Sequence, residues 1–315
     1  MTNRTLASTR EAAGKAILDL AREGRDIIAV SADTSKSMFT TLLLDEFPER
    51  FIDTGIAEQN MMMVAAGAAA TGKIAFAASY SVFTSMRCCE QLRTFVAYPK
   101  LNVNVLAGIG GFSAGIEGPT HVATEDLGIM RCIAGMTVLS PADAEATKRA
   151  VHAAVDIEGP VYIRVGRDSS PVLFDDSYPF TVGLPNLLRE GNDVTLVASG
   201  IILSEVIAAA DLLAEDGVGC DVIDLHTVKP VLHPEVILDS ARKTGVVVTV
   251  EDHNVIGGSG TVVAEILAGH GEFILRRLGL DNTFGETGTP EELTRKYGLD
   301  ALSIKATVRN LIDKT

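Results

Sequence analysis

Glu58 is the first residue whose place in the chain suggests chemistry. It follows Phe51-Ile52-Asp53, read as a short buried strand, and opens a helix that the apolar run from Met61 to Thr71 continues. A carboxylate in that first turn sits at the carboxyl end of a strand, where open α/β sheets place their ligands. The helix dipole favours negative charge there too, so Glu58 taken alone also fits a purely structural role. His121 closes Gly118-Pro119-Thr120-His121, a Pro-containing turn suited to proton transfer or substrate binding. Arg10, Ser37 and Arg167 offer two planar donor forks and a hydroxyl, a set that suits an anionic group if the sheet brings them to one mouth.

Two glycine-rich stretches could approach a ligand closely. Gly108 to Gly118 holds five glycines in eleven residues and reads either as a phosphate cradle or as a plain flexible loop. Gly257-Gly258-Ser259-Gly260 precedes a helix and reads either as an anion site or as tight helix packing. Neither matches GxGxxG or GxxxxGK[ST], which argues against a nicotinamide-binding Rossmann enzyme and a P-loop. Asp252-His253, at another strand end, is a candidate second site.

These residues must be positioned by alternating elements. Thr9 to Arg22 has Ala13, Ile17 and Leu20 on one helical face. Strands are expected at 26–33, 51–53, 73–78, 102–107, 136–140 and 160–165, with helices at 81–97, from 124 and from 141 to 155. Alternation of this kind implies a mainly parallel sheet with right-handed crossovers. The pattern loosens from Asp168 to Asn192, read as a linker, and a second α/β block opens at Asp193 with strands at 219–225 and 245–251. The fold expected is two three-layer α/β domains with mainly parallel sheets, residues 1–175 and 193–315, joined by a linker at 176–192.

Composition narrows the function. The chain has 315 residues, 47% hydrophobic and 22% charged, enough for two α/β cores. Its apolar excess suits parallel strands buried on both faces and a face hidden against a partner. No apolar run reaches membrane-spanning length, so no membrane association is expected. A net charge of -14 lacks the basic stripe that nucleic acid needs. Cys88, Cys89, Cys132 and Cys220 form neither a CxxC nor a disulfide framework. The opening Met1-Thr-Asn-Arg-Thr has no apolar core for a signal peptide, and a reducing cytoplasm is expected.

Taken together, Asp53-Thr-Gly-Ile-Ala-Glu-Gln-Asn60, Gly118-Pro-Thr-His121 with Glu125-Asp126, and the strand before Pro141-Ala-Asp143 resemble the pyrimidine-binding domain of transketolases and deoxyxylulose-phosphate synthases. Thr195-Leu-Val-Ala-Ser-Gly200, Leu225-His-Thr-Val-Lys-Pro230 and Val250-Glu-Asp-His253 resemble the transketolase C-terminal domain. The Gly-Asp-Gly of the family's diphosphate- and metal-binding domain is not in this sequence. The resemblance therefore implies the C-terminal subunit of a split transketolase. Its partner subunit would carry the diphosphate site and a divalent cation such as Mg2+, the assembly would be a two-fold heterotetramer, and this chain would hold no metal.

The resemblance also implies roles. Glu58 matches the glutamate that hydrogen-bonds the aminopyrimidine of thiamine diphosphate, Phe83 the aromatic packed on that ring, and Arg87 falls beside it. Arg10, Ser37 and Arg167 match the phosphate end of a sugar phosphate, and His121 contacts the sugar. Glu117 stands where the family usually has Asp, and Gly108-Ile109-Gly110 aligns where a further histidine is usual, so substrate choice is expected to differ from the common pentose-phosphate set. Two readings compete with ketol transfer: the β subunit of a thiamine-dependent 2-oxoacid dehydrogenase, and a non-catalytic scaffold or regulatory subunit of the same fold.

Overall fold

The computed structural model describes residues 5–313. The first four residues, most of the stretch read for a signal peptide, lie outside that range, as do the last two. In chain order the elements are β1 (Leu6–Ser8), α1 (Thr9–Arg22), β2 (Ile27–Ser31), α2 (Thr41–Glu46), β3 (Phe51–Asp53), α3 (Glu58–Ala70), β4 (Ile74–Tyr80), α4 (Cys89–Gln91), β5 (Val103–Gly108), α5 (Asp126–Cys132), β6 (Thr137–Leu139), α6 (Ala144–Ala154), β7 (Val161–Arg164) and β8 (Ser169–Pro171). They continue with β9 (Asn186–Arg189), β10 (Val194–Ala198), α7 (Leu203–Glu215), β11 (Cys220–Asp224), β12 (Thr227–Lys229), α8 (Glu235–Thr244), β13 (Val246–Asn254), α9 (Ser259–Leu267), β14 (Ile274–Leu280), α10 (Pro290–Lys296) and α11 (Ala301–Ile312).

The first sheet runs β12-β6-β7-β5-β4-β2-β3, and every pair except β12·β6 is parallel. Its central strands are buried along their whole length and mostly apolar, as strands covered on both faces must be. α1 and α6 cover one face around Ile17, Phe76 and Ile163; α3, α5 and the 83–97 helical segment cover the other around Met61, Val105 and Met130. The second sheet runs β14-β13-β10-β11-β9, parallel but for β9.

Three readings are corrected. β3 is a half-exposed edge strand rather than a buried one, because no described strand pairs with its outer side, and residues 54–57 separate it from α3. The 81–97 helix is wound in π turns at Phe83–Arg87 and Leu92–Ala97 around the short α4. The stretch read as a linker carries β9, whose pairing with β11 builds it into the second sheet.

The two domains are fastened together. β12, from the second block, adds to the edge of the first sheet with Thr227 opposite Leu139, and one apolar cluster runs from Val138 and Met130 to Leu225, Ile237 and Val262. Beneath it lies a buried ion cluster. Arg164 Nε donates to Asp126 Oδ2 (3.0 Å), Nη1 to Asp252 Oδ1 (2.6 Å), and Nη2 to the carbonyls of Ala123 (3.2 Å) and Asp252 (3.1 Å). Tyr162 donates its hydroxyl to the same Asp126 oxygen at 3.0 Å. Burial opposes the Arg164 charge, yet Asp126 and Asp252 more than offset it and the pKa is raised.

This cluster explains the first glycine-rich stretch, which is neither a cradle nor a flexible loop. Its 111–115 core is buried, and Gly110 N–H and Gly111 N–H are bonded to the carbonyls of Val165 and Ala123. A Cβ at Gly110 would lie 2.6 Å from Arg164 Nε, and one at Gly111 1.9 Å from Asp252 Oδ2. The second stretch packs around Glu251, whose Oε1 accepts Gly260 N–H at 3.1 Å, so the anion at the start of α9 is the protein's own. His253 donates from Nδ1 to the Asn254 carbonyl (2.6 Å) and accepts Gly128 N–H at Nε2 (3.4 Å); burial lowers its pKa and keeps it neutral. Asp252-His253 is thus part of the domain junction.

Two expectations follow. Arg164→Gln leaves Asp126 and Asp252 buried without their cation, and a loss of roughly 3–5 kcal/mol is expected in urea unfolding; a loss below about 1 kcal/mol would remove the cluster from its role. Asp224 accepts Tyr178 O–H at 2.5 Å, and burial pushes its carboxyl up to about 7, with the Tyr178 bond opposing and Asp143 adding. Its folded pKa lies above the unfolded value of about 4, so its contribution is complete below pH ~4 and is lost as pH rises towards 7. The Tm of Asp224→Asn, measured against wild type, is expected to be more favourable at pH 8 than at pH 5.

Candidate active site

The sites read from the sequence meet at the carboxyl edge of the first sheet. β2 leads into the loop with Ser37, β3 into α3 with Glu58, β4 into the helical segment with Phe83 and Arg87, β5 into the stretch with Glu117 and His121, and β7 into Arg167. Arg10 reaches the same edge from the first turn of α1, whose start Ser8 caps by accepting Glu11 N–H at 3.3 Å.

Glu58 is 2% exposed. Its Oε2 accepts a charge-assisted bond from Arg87 Nη1 at 2.7 Å, and its Oε1 accepts none from any described residue. Arg87 is half exposed, and its guanidinium carbon stands 4.4 Å from the Phe83 ring centroid, a cation–π arrangement. Phe83 and Arg87, four residues apart in the π-wound segment, share one face of it, which lets Arg87 reach Glu58 while lying over the Phe83 ring. The Cys88 thiol donates to the Glu58 carbonyl at 3.1 Å, and burial, then the nearby Glu58, pushes it up to about 12, so it stays a neutral anchor for the turn.

His121 lies edge-on to Phe83, ring centroids 5.3 Å apart, and its Nδ1 is 3.0 Å from Thr120 Oγ1. Tyr80 completes the group, 6.1 Å from both the Phe83 and the His121 rings. Its position at the end of β4 was the available signal in the sequence, by the same strand-end rule that singled out Glu58, yet Tyr80 was not singled out there.

The cationic residues form the other half. Arg10 Nη1 donates to Ser37 Oγ (2.6 Å) and to the Ser37 carbonyl (2.8 Å), while Nη2 donates to the Arg167 carbonyl. Arg167 Nε donates to Glu117 Oε1 at 2.9 Å and its Nη1 to Asp168 at 2.8 Å. Burial, then the neighbouring Arg167 charge, lowers the Arg10 pKa, while Tyr80, Asp168 and Glu117 pull it up. Tyr80 pairs with Gly108, whose Cβ position is 3.6 Å from Arg10 Cδ, so it stands between the two halves, and all eight residues picked from the sequence lie along one edge of the sheet, which forms a shared mouth. A buried carboxylate with an open oxygen suits a protonated ring nitrogen, the adjoining phenyl suits a flat heterocycle, and the arginine pair suits an anionic tail.

Ile52 (37% exposed), Ile56 (78%), Met63 (37%), Met86 (44%), Phe95 (43%) and Tyr98 (89%) flank the Glu58 end on β3, the loop after it, α3 and the 83–98 segment. Among the described residues no three His, Cys, Asp or Glu side chains are grouped to hold a metal ion, and no helix is long and apolar enough to cross a membrane.

The buried Glu58–Arg87 pair can be tested in a double-mutant cycle. Arg87→Ala is expected to cost roughly 1–3 kcal/mol in urea at pH 7, and the same change in a Glu58→Gln background distinctly less. Additive costs would show that the pair is not coupled.

Comparison with known proteins gives consistent matches. The profile of the transketolase pyrimidine-binding domain matches residues 6–171, and that of the transketolase C-terminal domain residues 183–304. A Methanocaldococcus jannaschii protein described as a putative transketolase C-terminal section is 39% identical over 94% of this chain and 93% of its own length. A 6-deoxy-6-sulfo-D-fructose transketolase subunit from a Clostridium species is 42% identical over 91% of this chain and 89% of its own. A solved structure of a split-gene transketolase, described as an inactive β4 tetramer, is 42% identical, superposes with a TM-score of 0.88 and covers 97% of this chain and 98% of its own.

Proposed function

The chain belongs to the transketolase family, and we propose that it works with a separate diphosphate-binding subunit to move a two-carbon ketol unit from a ketose phosphate to an aldose. The observation that carries this reading is the continuity of the mouth: Glu58, Phe83 and His121 at one end, Arg10, Ser37 and Arg167 at the other. Thiamine diphosphate, when bound, supplies the electron sink that makes breaking a sugar carbon–carbon bond feasible. Every other task in this half falls to the chain's own side chains.

Glu58 would hold the ring nitrogen of the cofactor through its open Oε1, with Arg87 keeping Oε2 occupied and the carboxylate fixed in place. Phe83 would pack against the ring, adding roughly 0.5–1.5 kcal/mol beyond burial. His121, edge-on to Phe83, is placed to bond the sugar beside its reacting carbons and to move a proton there. Arg10, Ser37 and Arg167 would bind the terminal anion. Glu117, paired with Arg167 at 2.9 Å, would read a hydroxyl near the tail and set the guanidinium plane. The relative named for 6-deoxy-6-sulfo-D-fructose implies a sulfonate tail there, an anion the same donors can accommodate.

The diphosphate and its divalent cation are assigned to the partner subunit. The apolar strip through Ile56, Met86 and Tyr98 is the surface we assign to the assembly, which we take to be a two-fold heterotetramer in the cytoplasm. The solved split-gene relative, an inactive β4 tetramer, supports inactivity of this kind of chain by itself.

The test begins with a mild affinity pull-down from native cytosol, followed by ketol-transfer assays on the recovered complex. The chain alone is expected to be inactive and the complex active. Glu58→Gln is expected to leave Tm near wild type and reduce turnover by about 10²–10⁴-fold. Near-normal turnover of a folded Glu58→Gln complex, or a chain that emerges as a lone homo-oligomer without affinity for thiamine diphosphate, would overturn the reading.

A further inference from the structure

Tyr80 has an unspent hydroxyl in the middle of the mouth. A tyrosine whose ring packs in a protein usually finds a partner for its O–H. The Tyr80 hydroxyl makes no hydrogen bond to any described residue, although the Tyr80 carbonyl accepts one from Thr84 Oγ1 at 3.1 Å, and the hydroxyl is not sealed from solvent. The ring itself is half buried, and Phe83 and His121 pack together on one side of it, each with its centroid 6.1 Å away.

Its direction follows from the sheet. Tyr80 is in register with Gly108 on the neighbouring parallel strand, and register partners project to the same face. A Cβ at Gly108 would point at Met38 Sδ (2.3 Å) and Arg10 Cδ (3.6 Å). The phenol therefore stands on the Arg10 side, between the rings at the Glu58 end and the guanidinium pair. Met38, itself buried, fills the space beside Gly108, so the phenol hydroxyl, which is not sealed from solvent, opens toward the carboxyl edge of the sheet where the rings of Phe83 and His121 lie.

We propose that Tyr80 is a specificity-determining residue whose hydroxyl bonds a hydroxyl in the middle of the bound sugar, between its reacting carbons and its anionic tail. This rests on the ketol-transfer reading. Donors long enough to cross the mouth gain this bond, whereas a short donor that ends near His121 does not. A site built to bond a hydroxyl discriminates through the polar group left unpaired when the hydroxyl is missing.

The experiment compares wild type, Tyr80→Phe and Tyr80→Leu in the assembled complex. The donors are 3-hydroxypyruvate and whichever five- to seven-carbon ketose phosphate the wild-type complex turns over fastest. Tyr80→Phe keeps the ring and is expected to lower kcat/KM for the ketose phosphate about tenfold, through KM. Calorimetric affinity for that sugar in the cofactor-free complex is expected to fall to the same extent. Any loss on 3-hydroxypyruvate, or in affinity for thiamine diphosphate, is expected to be several-fold smaller than the loss on the ketose phosphate. Tyr80→Leu, which also removes the support for Phe83 and His121, is expected to impair both donors. Unchanged sugar affinity in Tyr80→Phe, or equal losses on both donors, would overturn the assignment. A wild-type complex that transfers from neither donor would instead overturn the ketol-transfer reading, and this assignment with it.

Discussion

The domain junction and the glycine-rich side of the mouth depend on Arg164. Its guanidinium is buried between Asp126 of the first domain and Asp252 of the second, and its donors are shared between two carboxylates and two carbonyls. A buried cation with this many partners tolerates little displacement, because each lost contact would strand a charge away from water. The stretch from Gly110 to Glu117 must bend around the pair, which only glycine permits at Gly110 and Gly111. That stretch ends at Glu117, four residues before His121. The domain junction and two residues of the mouth are therefore set by the same contact.

The mouth is electrically graded. At one end a single buried carboxylate faces one half-exposed arginine. At the other, two arginines are balanced by Glu117 and Asp168, which keeps the guanidiniums oriented before any anion arrives. Pre-orientation of this kind reduces the ordering cost of binding. The aromatic group of Tyr80, Phe83 and His121 lies between the ends.

One flank of the Glu58 end is apolar and open. Ile56 is exposed in the loop before α3, and Met63 and Tyr98 are exposed on α3 and the 83–98 segment, which touch one another. An exposed apolar strip of this kind marks a place where another surface belongs. Glu58 lies at the root of this strip, so whatever covers the strip also closes the mouth.

The sequence by itself determined the alternation of strands and helices, the bounds of α1, and the carboxyl-edge location of Glu58, because local periodicity and the strand-end rule depend on neighbours in the chain. It also offered the eight candidate site residues, some from residue type and strand-end position and the rest through a resemblance carried by short motifs. Only the tertiary structure decided what the glycines do. Their role is to pass Arg164 and Asp252, partners from distant parts of the chain. The same holds for β12, whose three residues read as second-block sequence yet pair with the first sheet, and for β3, whose exposure follows from edge position and not from its composition. Tyr80 stayed hidden for the same reason: an unspent hydroxyl is a property of its surroundings, and Phe83, His121 and Arg10 become its neighbours only once the sheet has closed.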